Sequence, residues 1–186
     1  MKLLAASDYR VMPWKNGSGT TTELFAAGSA PDGFDWRVSI ATVASDGPFS
    51  RFEGYDRHIA CIEGEGFDLR GGPAGEIAVL PDLVPRSFSG DWHIFGRLRS
   101  GACRDFNLIA RRDLYQSSLT SHRFSGGLRI ADPVAWRFVY VLDGTADANG
   151  VSLAAGSGLL LEPGEAPALT GHACVIVARV APRSGS

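Results

Sequence analysis

Lysine is nearly missing from this 186-residue chain: Lys2 and Lys15 are the two present among 18 basic residues, so almost every positive charge is an arginine. Basic and acidic side chains nearly cancel, at a formal net charge of −2. A nucleic-acid binder carries a cationic stripe against phosphates, and the absence of one excludes that class of partner. Long apolar runs are missing too. No stretch approaches the roughly 20 residues of a membrane span, and MKLLAAS at the start falls short of a signal peptide's apolar core, so no membrane partner is expected and a cytoplasmic location is. The three cysteines, Cys61, Cys103 and Cys174, are odd in number and far apart, with no Cys-x-x-Cys. That excludes a disulfide framework and fits reduced thiols. Histidine is scarce and scattered: His58, His93, His122 and His172 form no pair at i, i+2, so neither a metal nor another cofactor is expected.

What is abundant is punctuation, with 23 glycines and 10 prolines dividing the chain into short segments that leave little room for helices. Between the breaks lie runs rich in β-branched and aromatic residues: FDWRVSIATV (34 to 43), RHIACIE (57 to 63), EIAVL (76 to 80), RFVYVLD (137 to 143), GLLLE (158 to 162) and ACVIVARV (173 to 180). The one helical candidate, NLIARRDLY from Asn107, reads equally as an arginine-edged strand. An internal repeat sharpens the all-β reading. RHIACIEG (57 to 64) and RFVYVLDG (137 to 144) both run Arg, five strand residues, an acid and Gly, while LPDLVPRSFSG and EPGEAPALTG share a Pro-x-x-x-Pro turn in the same order. Duplicated strand–turn–strand units of this kind predict two cupin-like antiparallel β-barrels, a bicupin. The expected division is an N-terminal barrel over residues 1–110 carrying the polar motifs and a C-terminal barrel over 111–186.

LEPGEAP matches the second, Pro-Gly-type turn of the cupin superfamily. The residues that metal-binding cupins use, a His-x-His with a downstream Glu, are absent here. PWKNGSGTTTEL, WRVSIATV, DGPFSRFEGYDR and DFNLIARR, in that order and spacing, resemble the HutD/Ves family of bicupin proteins. The match is strong over the first 110 or so residues and rests on layout beyond them. Ser18 interrupts a turn that commonly reads Gly-Gly-Gly in the family. The resemblance implies a bicupin fold, an association with histidine utilization, and a regulatory role through binding a small anionic metabolite, with urocanate, formiminoglutamate and N-formylglutamate as candidates. The alternative is a metal-independent enzyme, a hydrolase or isomerase, acting on such a metabolite. Whether two barrels also pair between chains as a homodimer is open at this level.

The motifs supply a set of candidate ligand-binding residues: Lys15, Asn16, Arg37, Ser39, Arg57, Asp105 and Asn107. In FDWRVSIATV, Phe34, Trp36, Val38 and Ile40 alternate with Asp35, Arg37 and Ser39, so the two sets lie on opposite faces. If the apolar set packs between sheets, Arg37 and Ser39 face solvent or a polar lumen, and the family resemblance favours the lumen. A guanidinium there suits a carboxylate, which it grips with two parallel N–H donors. Lys15 precedes its glycines, so the stretch cannot be a Walker A loop. It reads as a plain Asn-Gly hairpin turn or as a pocket rim. Arg57 heads the repeated strand beside Asp56, itself either a turn residue or a ligand contact. Asp105 and Asn107, at i, i+2, share one face of an extended segment, with strand-edge hydrogen bonding as the alternative. Phe49 is expected to plug the barrel end, and Trp14, Trp36 and Phe106 to be core aromatics. No Ser-His-Asp or Cys-His order stands out, so no catalytic residue is assigned.

Overall fold

Short apolar-polar alternations bounded by glycine and proline fold here into an all-β chain. A computed structural model describes residues 1–14, 17, 19–28, 33–73 and 75–183. In chain order the strands are β1 (Lys2–Leu4), β2 (Arg10–Pro13), β3 (Gly19–Ala27), β4 (Trp36–Val43), β5 (Gly47–Pro48), β6 (Tyr55–Glu63), β7 (Phe67–Gly72) and β8 (Gly75–Val79). They continue as β9 (Arg86–Ser89), β10 (Phe95–Leu98), β11 (Cys103–Arg111), β12 (Tyr115–Arg129), β13 (Trp136–Ala148), β14 (Val151–Ala154), β15 (Gly158–Leu161) and β16 (Ala168–Pro182). The ambiguous NLIARRDLY resolves as the end of β11, a turn and the start of β12. Among the described residues no helix is long and apolar enough to cross a membrane.

The chain divides into two compact units, Arg10–Leu114 and Met1–Tyr9 with Tyr115–Ser186. In the first, a sheet ordered β2-β3-β4-β11-β6-β9 accompanies a smaller one ordered β5-β10-β7-β8. Val43, Ile59, Cys61 and Cys103 from the larger sheet cluster with Phe67, Leu69 and Val79 from the smaller, which places the core between the two. In the second unit, β1 pairs with β15 in a sheet ordered β1-β15-β13-β16-β12, with β14 on β13, around Val139, Val141, Leu153, Leu159, Val175 and Val177. Among the described residues each sheet keeps free edges, so these cupin-like units are curled open sheets rather than hydrogen-bonded rings.

The sequence repeat has a structural counterpart. β6 pairs with β11 and β13 with β16, and each ladder slips by one residue at the same point, skipping Ile62 in one unit and Leu142 in the other. The glycines that follow, Gly64 (φ 90) and Gly144 (φ 80), are left-handed, and a Cβ there would lie 2.7 Å from the Ala102 carbonyl and 2.1 Å from the His172 carbonyl respectively. The acid-Gly signature therefore marks a bulge and close backbone approach that only glycine fits.

Packing in the N-terminal unit corrects one expectation. The reading of β4 started from its apolar set packing between sheets, with Arg37 and Ser39 turned to solvent or a lumen. Instead Val43, on the Arg37 and Ser39 side, joins the inter-sheet core, and Trp36, Val38 and Ile40 lie on the opposite face, which is buried as well. A strand covered on both faces loses the simple polar-out alternation, so its sequence cannot say which face is inside.

Candidate functional site

Along β4, β11 and β6, side chains two apart share one face, and antiparallel register aligns them in rows. Ser39, Asn107 and Ile59 form one row, Arg37, Ile109 and Arg57 the next, and Ala41, Asp105 and Cys61 the row on the other side. A cavity of about 460 Å³ opens over these rows, lined by Arg37, Ser39, Ala41, Arg57, Asn107 and Ile109 from the sheet, and by Pro13, Trp14, Thr21 and the Pro48–Ser50 and Phe52 stretch around the mouth. Of the seven sequence candidates, Arg37, Ser39, Arg57 and Asn107 line it. Asp105 stands directly behind Asn107. Lys15 and Asn16 lie outside the described residues.

The two arginines set its electrostatics. Arg57 is buried at 5% exposure, donating from Nη1 to the Ser50 carbonyl (3.1 Å) and from Nη2 to Asn107 Oδ1 (3.1 Å). Phe49, Phe52 and Phe88 surround its guanidinium at 5.5, 5.5 and 5.0 Å from their ring centroids. Arg37 stacks between Phe34 (4.5 Å) and the same Phe52 (5.5 Å). In both arginines Nε has no hydrogen-bond partner among the described residues. Desolvation lowers the pKa of Arg57 to about 10, Asp105 partly countering it and Arg37 adding repulsion. Desolvation likewise lowers that of Arg37, with Glu23 opposing and Arg10 reinforcing the shift. Buried Arg57 and half-buried Arg37, both desolvated and lining one hollow, make a site that gains from an anion.

Behind them runs a polar relay. Asn107 Nδ2 donates to Asp105 Oδ1 at 2.7 Å, while Asn107 Oδ1 accepts from Arg57. Asp105 is fully buried and its Oδ2 has no hydrogen-bond partner among the described residues; desolvation, moderated by Asn107 and Arg57, raises its pKa to about 7. The register match with the second unit shows how local this arrangement is. Where β11 carries Asp105 and Asn107, β16 carries Val175 and Val177, facing Val141 and Val139. Arg137, the repeat partner of Arg57, is caged instead by the carbonyls of Ile130, Glu162 and Glu165.

Sequence reasoning missed the aromatic collar. Phe52 and Phe88 were not singled out, although Phe49 and Phe52 flank Arg51 in the same DGPFSRFEG motif. Phe49, expected to plug a barrel end, packs beside the inter-sheet core against Phe67 and also lines the cavity beside Arg57. Trp36 and Phe106 are core aromatics, whereas Trp14 lines the cavity and donates from Nε1 to Thr21 Oγ1 at 2.8 Å. Asp56, read as a turn residue or a ligand contact, lies within β6, outside the cavity lining, and accepts from Arg112 Nε at 2.7 Å. β2 and β3 pair antiparallel on either side of the PWKNGSG stretch, and Pro13 and Trp14 border the cavity, while the Asn-Gly turn itself lies outside the described residues. All three cysteines are buried free thiols, and desolvation pushes Cys103 up to about 12. Among the described residues no group of three or more His, Cys, Asp or Glu converges as a metal-ligand set.

Fold and cavity together define a bicupin-type chain with a cationic pocket in one unit. The family model described as HutD matches residues 6–177, and the chain belongs to the HutD family. It is 42% identical over 120 residues to the uncharacterized 21.2 kDa protein in the hutC 3' region of Pseudomonas putida, an alignment covering 64% of this chain and 63% of that relative's length. Against protein Ves of Citrobacter koseri the identity is 32% over 168 residues, covering 85% and 83%. Among solved structures, HutD from Pseudomonas fluorescens SBW25 superposes with a TM-score of 0.85 at 33% identity over 98% of this chain and 99% of that one. A cupin 2 conserved barrel domain protein from Leptotrichia buccalis superposes with a TM-score of 0.57 at 12% identity over 96% and 97%, a likeness of fold alone.

Proposed function

We propose that this chain binds a small anionic metabolite of histidine breakdown in the N-terminal pocket and acts as a regulatory binder in histidine utilization. The observation that carries the reading is the pair of desolvated guanidiniums, buried Arg57 and half-buried Arg37, that line one cavity. A carboxylate received between them exchanges water for charge-assisted hydrogen bonds from planar donors. Ser39 and Thr21 add hydroxyls, and the shared Phe52 ring gives a flat ligand a wall to lie against. Lys15 and Asn16 belong to the proposal as a second cation and amide. Family membership and the hutC-region relative favour urocanate, formiminoglutamate and N-formylglutamate. The partner in this reading is a small molecule rather than nucleic acid or membrane, the setting is cytoplasmic, and a homodimer is compatible with it.

Turnover is the second reading, and the observation favouring it is Asp105, whose pKa near 7 suits a base. Its carboxyl, however, stands behind Asn107 and does not line the cavity. The test is a thermal-shift series with the three candidates. At about 100 times its Kd, a true ligand stabilises the fold by roughly 2.7 kcal/mol. Arg37→Ala is expected to erase that shift. No shift with any candidate, or an undiminished one in Arg37→Ala, overturns the reading, and product above the blank on prolonged incubation replaces it with the enzyme.

A further inference from the structure

We propose that the pocket takes up a proton together with its anion, the proton residing on Asp105, which acts through Asn107 as the positioning residue for Arg57. This inference rests on the carboxylate reading of the site and specifies what regulates it. The geometry is a three-member chain: Arg57 Nη2 to Asn107 Oδ1 at 3.1 Å, then Asn107 Nδ2 to Asp105 Oδ1 at 2.7 Å. Asp105 Oδ2, fully buried and without a donor among the described residues, is the atom left to hold the proton. The fold does not require an acid here, since the equivalent register position in the second unit is Val175 and the place of Asn107 is taken by Val177.

In the empty pocket the buried acid offsets part of the charge of Arg57. An arriving carboxylate claims the same guanidinium from the open side, and two acids then compete for it in a poorly solvated site. A proton on Oδ2 removes the competition and leaves Arg57 free to serve the ligand. The groups facing Asp105 do not titrate near neutrality. On β6 these are Arg57, lowered to about 10, and Cys61, raised by burial; on β11 the neighbour is Cys103, raised to about 12. Arg37 stands on β4 with Glu23 of β3 opposing its charge, and the facing sheet offers apolar Phe67, Leu69 and Val79. His58 points to the other face of β6, where its Nδ1 meets Ser87 Oγ, and burial lowers it from 6.5.

Asp105 titrates near 7 in the free site, and the bound anion moves that value higher. Binding is therefore tightest below pH 7, weakens through the interval between the two values, and levels off above both. The loss is about tenfold for each unit by which the anion raises the pKa of Asp105. The probe is acetate, a carboxylate that stays ionised above about pH 6. Calorimetry on the whole chain between about pH 6 and about 9, in the cationic buffers imidazole and Tris, is expected to give a Kd that rises with pH and enthalpies that differ between buffers by the proton taken up. Asp105→Asn is expected to flatten the Kd profile and abolish the buffer difference. Acetate that binds with one Kd at every pH and one enthalpy in both buffers overturns the proton linkage while leaving the carboxylate pocket standing. A wild-type pH profile that persists in Asp105→Asn overturns the assignment to Asp105, and the wild-type buffer comparison decides the linkage even if that variant does not fold. Acetate that binds at no pH overturns the carboxylate reading and this inference with it.

Discussion

Arg57 and Arg137 occupy the same place in two copies of one repeated segment, yet they have opposite fates. Arg137 spends its Nη donors on three carbonyls and is closed off, whereas Arg57 keeps company with three aromatic rings, one carbonyl and one amide beside an open cavity. Across the ladder Arg57 pairs with Ile109 and Arg137 with Arg179, and the next rows of the partner strand carry polar Asn107 and Asp105 in one unit and Val177 and Val175 in the other. Burying Asp105 has a measurable cost. Its pKa rises from an ordinary 3.8 to about 7, so between those values the folded chain holds a proton that the unfolded chain has released. Stability conferred by the protonated acid is complete below 3.8 and is lost as pH climbs through 7. Asp105→Asn is therefore expected to unfold at higher temperature than wild type at pH 8, by on the order of a few kcal/mol, with the gap closing toward pH 4. Melting curves at the two pH values check this, and equal differences at both would refute it.

At the scale of strands and turns, the alternation of β4, β6, β13 and β16 was readable because β-branched and aromatic residues crowd between glycine breaks. β12 was not. Its sequence, YQSSLTSHRFSGGLR, is polar and glycine-bearing, and it is a strand because the apolar β16 beside it supplies a full ladder. β3, with its threonine run, joins the sheet in the same dependent way between β2 and β4. One glycine on β10 links an element to the site. A Cβ on Gly96 would lie 2.4 Å from Phe49 Cε2 and 3.0 Å from Cδ2, so Gly96 is the space in which that ring rests. Gly96→Ala is expected to push Phe49 toward Arg57, costing about 1–3 kcal/mol of stability by overpacking and weakening anion binding. Denaturation and a Kd measured on the same variant test both halves, and an unaltered Kd would separate Phe49 from ligand recognition. The turn just past β11 offers a contrasting control. Arg112 there donates to Asp56, Asp91, Ser89 and the Tyr55 carbonyl, tying strands together away from the cavity. Arg112→Ala is expected to destabilise by about 1–2 kcal/mol, discounted for partial exposure, without changing the ligand-induced shift, which a thermal-shift comparison reads directly.

For the whole molecule, the lining of the pocket comes entirely from Arg10–Leu114, while the second unit retains the repeat without its polar line. Arg137→Met leaves three buried carbonyls without their donor, so it is expected to lower stability by about 2–4 kcal/mol while the anion still stabilises the protein as before. A lost ligand shift in that variant, with the fold intact, would contradict confinement of the site to one unit. By itself the sequence determined the all-β class, the duplication, and the arginines and amide worth testing, because period-two alternation, glycine punctuation and motif spacing are local properties written along the chain. Only the tertiary structure decided which face of β4 is interior, that Phe52 and Phe88 join Phe49 around the guanidiniums, and that Asp105 stands behind Asn107 with valines in its place elsewhere. Those facts depend on cross-strand register and on burial of both sheet faces, and neither leaves a mark in the order of residues along one strand.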